Sequence, residues 1–260
     1  MPKIISSTLL EATQEAGRIA GAVALRHFRT ELDVKSKADG SPVTIADCEA
    51  ESAVRDWIGR RFPDDGIEGE ELGIVRPDAT RRWVIDPIDG TKTFIRGVPL
   101  WGTLIAVVER SEVLAGAAFF PAVDEMVAAA PGEGAWWNDS RCAVSDVDRL
   151  ERATVLTTDE RFREHEEKSA VWRRLSSRAA ISRTWGDCYG YLLVATGRAE
   201  VMVDAIMAPW DAAALQPIVE EAGGVFTDWS GARTAFGGSA IATNAALAIE
   251  TRALLRPSTS

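Results

Sequence analysis

The chain of 260 residues predicts a protein of the α+β class, and three patterns carry that prediction. Leu9, Ala12, Ala16, Ile19, Val23 and Phe28 recur at helical spacing across residues 4–30. Residues 103–139 run instead as short apolar stretches broken by polar or glycine turns, as antiparallel strands do. From about residue 150 onward strand-like and helix-like segments alternate. Residues 1–145 therefore read as two helices followed by a mostly antiparallel meander. Residues 146–260 read as an alternating α/β part, and the two parts are expected to form one compact unit.

In chain order, the helix over 4–30 is followed by DVKSKADGSPVT (33–44), rich in turn formers and lysine. A second helix starts near Thr44 or Asp47 and runs through Glu51, Val54 and Trp57 to about Arg61, where Pro63-Asp64-Asp65-Gly66 breaks it. GIEGEELGIV (66–75) is strand-like with an acidic cluster, RRWVID (81–86) is a buried strand, and a short helix or turn follows Asp89. TLIAVVE (103–109) and LAGAAFFPA (114–122) are strands separated by Arg110-Ser111-Glu112, and 125–139 reads as strand, glycine turn, strand. In the second part, ATVLTT (153–158), AISRTW (180–185), AEVMVD (199–204), GVFTDW (224–229) and AIATN (240–244) are strands. The helices between and after them are a charged one over 160–178, YGYLLVATG (189–197) with Gly197 as its cap, WDAAALQPIVEEAGG (210–224) with Pro217 inside it, and ALAIETRALL (246–255).

Composition narrows the function. Hydrophobic residues make up 46% and charged residues 26%, ordinary for a globular chain. The formal net charge of −10 repels nucleic acid and anionic membranes, and suits a site that gathers cations. Cys48, Cys142 and Cys188 are widely spaced and form no C-x-x-C, so a disulfide framework is not expected and a reducing compartment is. No apolar run reaches about 18 residues and no signal peptide is evident, which makes a cytoplasmic location the expectation. The two histidines, His27 and His165, stand beside no motif serine or cysteine, which argues against a catalytic triad and against a histidine-rich zinc site.

Six acids stand beside turns or segment ends: Asp47, Glu70, Glu71, Asp86, Asp89 and Asp211. Singly, each has a plain reading, because acids are common at strand ends and helix N-termini. Asp86 and Asp89 resist it. The apolar run Trp83-Val84-Ile85 leads straight into the first of them. Two buried carboxylates this close are costly unless a cation or a shared proton compensates. A hard divalent cation with oxygen ligands fits. Pro87 fixes its own φ and biases Asp86 toward extended geometry, so Asp-Pro-Ile-Asp is expected to turn and bring both carboxylates and the Ile88 carbonyl round one point. Asp89-Gly90-Thr91 then opens a helical turn whose free N–H groups suit an anion. Cations beside an anion site point to a phosphate ester, with the Thr91 hydroxyl able to orient an attacking water.

WVIDPIDGT (83–91) and WDAAALQPIVEEAGG (210–224) resemble the two signature motifs of the inositol monophosphatase family. GEE (69–71) and VTIAD (43–47) match its two other blocks, in the same order and at similar distances. The resemblance spans nearly the whole chain and implies a layered αβαβα sandwich. It implies two or three Mg²⁺ ions held by Glu70, Asp86, the Ile88 carbonyl, Asp89 and Asp211. Thr91 and Glu70 would position the attacking water, Asp47 would support Thr91, and Gly90 and Thr91 would present backbone N–H groups to the phosphate. In-line attack would then expel the alcohol without a covalent enzyme intermediate. Family members are commonly homodimers.

Within the family, TKTF (91–94), GVP (97–99), WGTLI (101–105), WGDCYGY (185–191) and AEVMVD (199–204) resemble the histidinol-phosphatase branch. That branch implies hydrolysis of L-histidinol phosphate to L-histidinol and phosphate, in histidine biosynthesis, with Asp89, Gly90, Thr91, Gly186, Asp187 and Asp204 meeting the substrate. Histidinol phosphate carries an ammonium and a protonatable imidazole, and Asp187 and Asp204 would suit such a cation. Asp187 also reads as the cap of the following helix, and both roles are compatible. Trp101 reads equally as pocket wall or core, and Trp136-Trp137 as hairpin packing. The alternatives are an inositol-1-monophosphatase or a broader sugar or nucleotide phosphatase of the same fold, with Lys92, Arg96 and Arg183 as the nearby cations for a second phosphate. A non-catalytic metal- or phosphate-binding protein is the other; the complete set Glu70, Asp86, Asp89, Thr91 and Asp211 argues against it.

Overall fold

The structure, a computed structural model, describes residues 3–37, 40–162 and 165–256. α1 (Lys3–His27) buries the expected stripe, including Leu9, Ala12, Ala16 and Val23. The turn-rich stretch after it folds into a two-residue ribbon, β1 (Lys35–Ser36) against β2 (Pro42–Val43). α2 (Ile45–Arg61) begins where Thr44 caps it. The Thr44 hydroxyl accepts the Ala46 N–H at 3.1 Å, while the Asp47 carboxylate accepts the Thr44 N–H at 2.8 Å and its hydroxyl at 2.7 Å.

Residues 66–75 form two strands around an acidic turn rather than one piece: β3 (Gly66–Gly69) and β4 (Gly73–Val75). The meander follows as β5 (Arg81–Asp89), the single-turn α3 (Thr91–Phe94), β6 (Gly102–Glu109), β7 (Glu112–Phe120), β8 (Glu125–Ala130), β9 (Gly134–Trp137) and β10 (Ser140–Arg141). Among the described residues these strands make one eight-stranded sheet in the order β10-β9-β8-β7-β6-β5-β3-β4, antiparallel except for the parallel pair β3 and β5.

After a 3₁₀ turn at Leu150–Arg152 come β11 (Thr154–Thr157), α4 (Glu166–Ser176), β12 (Ile181–Arg183), α5 (Asp187–Ala195) and β13 (Val201–Asp204). The charged helix expected over 160–178 thus starts later, and residues 163 and 164 lie outside the described ones. The single helix expected over 210–224 is instead two, α6 (Pro209–Ala212) and α7 (Leu215–Glu221). Pro217 is the reason: lacking an N–H, it fits the first turn of α7, where no intrahelical partner is needed, and not a helix interior. β14 (Val225–Thr227), β15 (Ala240–Thr243) and α8 (Ala248–Leu255) complete the chain. The second sheet runs β12-β11-β13-β15-β14, parallel through its first three strands.

Three apolar layers stack these elements into an αβαβα sandwich. One face of the first sheet (Trp83, Ile85, Ile105, Val107, Ala117) meets α1 and α2. Its other face (Val84, Leu104, Ala106, Phe120) meets Tyr191 and Leu192 of α5 and Leu215 and Ile218 of α7, which in turn cover Leu156, Met202 and Phe226 of the second sheet. The outer face of that sheet (Val155, Val201, Val203) packs on Val171, Trp172 and Leu175 of α4 and Leu255 of α8. Strands buried on both faces explain why 104–108 is apolar without alternation. The middle layer matters most for function, because it brings the starts of α5 and α6 to the end of β5.

Candidate active site

The carboxylates of Asp86, Asp89 and Asp211 each offer an oxygen within 4.8 Å of the other two. Residues three apart on a regular strand face opposite sides of the sheet. Here the ladder with β6 slips: Asp86 pairs with Leu104 and Asp89 with Gly102, so β5 carries one extra residue. The expected turn at Asp-Pro-Ile-Asp is therefore a β-bulge inside a continuous strand, which re-aims Asp89 toward Asp86. Pro87 tolerates the bulge because it has no N–H to pair. The Ile88 N–H donates to Asp86 Oδ1 at 3.0 Å and the Thr103 hydroxyl donates to the Pro87 carbonyl at 2.8 Å, which pins the bulge from both sides. Asp211 comes from the first turn of α6, where its Oδ2 accepts the Ala208 N–H at 2.7 Å. At the start of α5, the Cys188 N–H donates to Asp89 Oδ2 at 2.5 Å.

Parallel pairing places Gly69 opposite Ile85, so Glu70 falls beside Asp86. Its position is held from behind. The fully buried Glu51 of α2 accepts the Glu71 N–H at 2.8 Å and the Leu72 N–H at 3.2 Å, and pairs with Arg55 at 2.6 Å. Lys37, which no sequence motif flags, bonds Glu70 and Glu71 at 2.6 Å each. Thr91 donates its hydroxyl to the Ile88 carbonyl at 3.1 Å, the acceptor three residues back in the same turn, rather than to Asp47. Asp47 is spent on capping α2 through Oδ2, and its buried Oδ1 has no hydrogen-bond partner among the described residues. Gly90 stands at φ 86°, in the left-handed region, and caps α3; a side chain there would also crowd the Asp187 carboxylate at 3.1 Å.

Electrostatics set this cluster apart. Burial, then the charges of Glu70, Asp89 and Asp211, push the Asp86 carboxyl far above the carboxylate range. Burial, then Asp187 and Asp211, do the same to Asp89. Asp211 rises to about 6 and Glu71 to about 7, burial being the first cause in both. Burial would pull the Lys37 ammonium down, but its two glutamates outweigh that and hold it above the ordinary lysine range. Among the described residues no lysine or arginine forms an ion pair with Asp86, Asp89 or Asp211. An all-oxygen donor set of three clustered carboxyls, whose ionised forms only a cation would favour, fits a hard divalent cation.

Next to this cluster lies a cavity of about 90 Å³ lined by Asp89, Thr158, Asp187, Asp204, Met207 and Asp211 among others. It adjoins a cleft of about 670 Å³ that Gly90, Thr91, Lys92, Arg161 and Gly186 help to line. Asp187 does not cap its own helix: it is the first residue of α5 and its Oδ2 instead accepts the Thr93 hydroxyl at 3.2 Å. Asp204 accepts the Tyr191 hydroxyl at 3.0 Å and the Thr158 N–H at 3.1 Å, and burial lifts its carboxyl to about 7. Lys92 lines the cleft, whereas Arg96 and Arg183 do not; Arg161, missed from sequence, does, and forms two bonds of 2.9 and 3.0 Å to Asp159. Trp101 belongs to the core, fully buried and edge-on to Phe94. His27 ties α1 to Glu49 of α2 at 2.8 Å. Cys48, Cys142 and Cys188 are free thiols.

A sequence profile described as the inositol monophosphatase family matches residues 6–257. The chain is 43% identical over 233 residues to a histidinol-phosphatase of Chlorobaculum parvum, covering 89% of this chain and 90% of that one. It is 37% identical to a histidinol-phosphatase of Mycobacterium tuberculosis, covering 92% and 94%. Among solved structures, an inositol monophosphatase from Zymomonas mobilis superposes with a TM-score of 0.86 at 32% identity, covering 96% and 98%. Sequence profile, relatives, layered fold and acidic cluster agree: the chain belongs to the inositol monophosphatase family and is a phosphoric monoester hydrolase.

Proposed function

We propose that the enzyme hydrolyses L-histidinol phosphate to L-histidinol and phosphate, with Mg²⁺, by direct in-line attack of water. The observation that carries this choice is the shared cavity: Asp187 and Asp204 line it together with Asp89 and Asp211. A leaving group bearing a protonated amine would find two carboxylates there, immediately beyond the cluster that takes the phosphate. The two histidinol-phosphatase relatives support the same choice.

Glu70, Asp86, the Ile88 carbonyl, Asp89 and Asp211 would hold two or three ions. When bound, Mg²⁺ lowers the pKa of a water and neutralises phosphate oxygens. The chain does the rest. Gly90 and Thr91 direct the N–H groups of the first α3 turn at the phosphate. Glu70 and the Thr91 hydroxyl orient the attacking water, and Asp47, with its free Oδ1, supports Thr91. Asp187 and Asp204 hold the alcohol, and Gly186, which lines the cleft, lets the segment before α5 pack against Thr158. A bisphosphate or nucleotide substrate has less support. Of the cleft's two described cations, Lys92 and Arg161, the second is already tied to Asp159. By family likeness the enzyme would act as a homodimer, and its three free thiols suit a reducing cytoplasm.

Comparing kcat/KM for L-histidinol phosphate and inositol 1-phosphate in Mg²⁺ decides the matter. The expected preference for histidinol phosphate is at least about 100-fold, and Asp187→Ala should erase most of it. Equal or reversed preference in the wild type would sink the assignment while leaving phosphomonoester hydrolysis in place.

A further inference from the structure

We propose that Thr158 is a positioning residue that locks Asp187 and Asp204 into one amine-binding unit. The inference rests on the histidinol phosphate reading above and assigns a role to a residue that no motif singled out. Thr158 follows β11, whose parallel pairing sets Thr157 opposite Val203 and so brings Thr158 level with Asp204. Its N–H donates to Asp204 Oδ1 at 3.1 Å, while Tyr191 holds Oδ2. Its hydroxyl accepts the Asp187 N–H at 2.8 Å. One residue therefore bonds the side chain of one carboxylate and the backbone of the other.

The Asp187 backbone is where this hold acts. It stands at φ 50°, in the left-handed region that side-chain-bearing residues enter uncommonly and aspartate more readily than most. Its N–H is also among the first of α5, which have no partner within the helix. Thr158 supplies that partner from another element. Gly186, just before, presses on the Thr158 main chain so closely that a Cβ there would collide with it. With φ left-handed, the Asp187 carboxylate reaches Thr93 and the cavity rather than folding back onto its own helix. Thr158 itself lines both the small cavity and the larger cleft. Burial lifts Asp204, and the charge of Asp187 lifts it further, so the two acids sense one another.

Thr158→Val keeps the shape and removes the acceptor; Thr158→Ser restores it. Steady-state kinetics with L-histidinol phosphate and with 4-nitrophenyl phosphate, whose leaving group carries no amine, read the effect. In Thr158→Val, KM for histidinol phosphate should rise roughly tenfold, the size of one lost hydrogen bond, with kcat within about twofold. KM for 4-nitrophenyl phosphate should stay put, and serine should recover the wild-type values. An equal rise on both esters, no rise, or no recovery with serine overturns the assignment and leaves Thr158 a structural residue. If Thr158→Val does not fold, Thr158→Ala carries the same comparison. Should the wild type prefer a neutral ester, the histidinol reading falls. KM for that ester must then rise in Thr158→Val and recover in Thr158→Ser, or Thr158 falls with it.

Discussion

Asp89 accepts a backbone N–H from α5 at 2.5 Å while facing Asp86 and Asp211 across less than 4.8 Å. Those two facts separate its structural part from its chemical part. Asparagine in its place retains an acceptor for the Cys188 N–H and removes the charge. Because burial and neighbouring acids already disfavour that charge, the substitution should leave the fold at least as stable. Turnover, by contrast, should fall by about three orders of magnitude or more if Asp89 is the metal ligand proposed above. A thermal melt and a phosphate-release assay on Asp89→Asn check both halves, and near-normal rates would remove Asp89 from the site. Asp86, Asp89 and Asp211 were legible in the sequence because each sits in a short motif whose chemistry is local. Lys37 was not. It stands in a turn-rich stretch 33 residues before Glu70, and only the folded ribbon of β1 and β2 delivers its ammonium to the two glutamates.

The turn between β3 and β4 shows how an element, rather than a residue, aims a side chain. Glu70 would point anywhere on a free loop. Glu51 prevents this by accepting two N–H groups from the turn, while Arg55 neutralises Glu51 and bonds the Gly73 carbonyl. Removing one partner of a buried pair leaves the other charge uncompensated, which destabilises by about 3–5 kcal/mol. Glu51→Ala should show that loss in urea unfolding and should also raise the Mg²⁺ concentration for half-maximal activity. A loss below about 1 kcal/mol, with unchanged Mg²⁺ dependence, would show that the turn holds itself. The bulge in β5 works likewise: the ladder slip, not either aspartate, decides that both carboxylates meet. Sequence reading recognised that Asp-Pro-Ile-Asp must bend. It could not choose between turn and bulge, because that depends on whether β6 continues alongside.

Across the whole molecule, acids gathered at one point oppose folding until a cation joins them. Asp211, Glu71 and Asp204 titrate near 6, 7 and 7 when folded, against about 4 in an unfolded chain. Between those values the folded state binds more protons than the unfolded one, so stability falls as pH rises from about 4 to about 7. Asp86 and Asp89, raised further, extend the fall in the same direction. The metal-free protein should therefore melt at a higher temperature at pH 5 than at pH 8. Saturating Mg²⁺ should raise the melting temperature more at pH 8, where the ligands are ionised. Scanning calorimetry at both pH values, with and without Mg²⁺, checks this; a metal-free stability that climbs from pH 5 to pH 8 would contradict it. No helix among the described residues is long and apolar enough to cross a membrane.

Periodicity and short-range chemistry identified most of the helices and strands and the acidic motifs, and left the start of α2 between Thr44 and Asp47; the resemblance of four motifs pointed to the family. Such signals act within a few residues, where spacing alone reports which face is buried and which group caps or turns. Packing decided the rest. The parallel pairing of β3 with β5 and the bulge follow from neighbours distant in sequence. So does the meeting of Thr158 with Asp187 and Asp204, which lie 29 and 46 residues further along the chain. Whether an acid becomes a helix cap or a substrate contact is not written in its own segment. Asp187 shows why: its carboxylate accepts the Thr93 hydroxyl of α3 while its backbone N–H donates to Thr158, which follows β11.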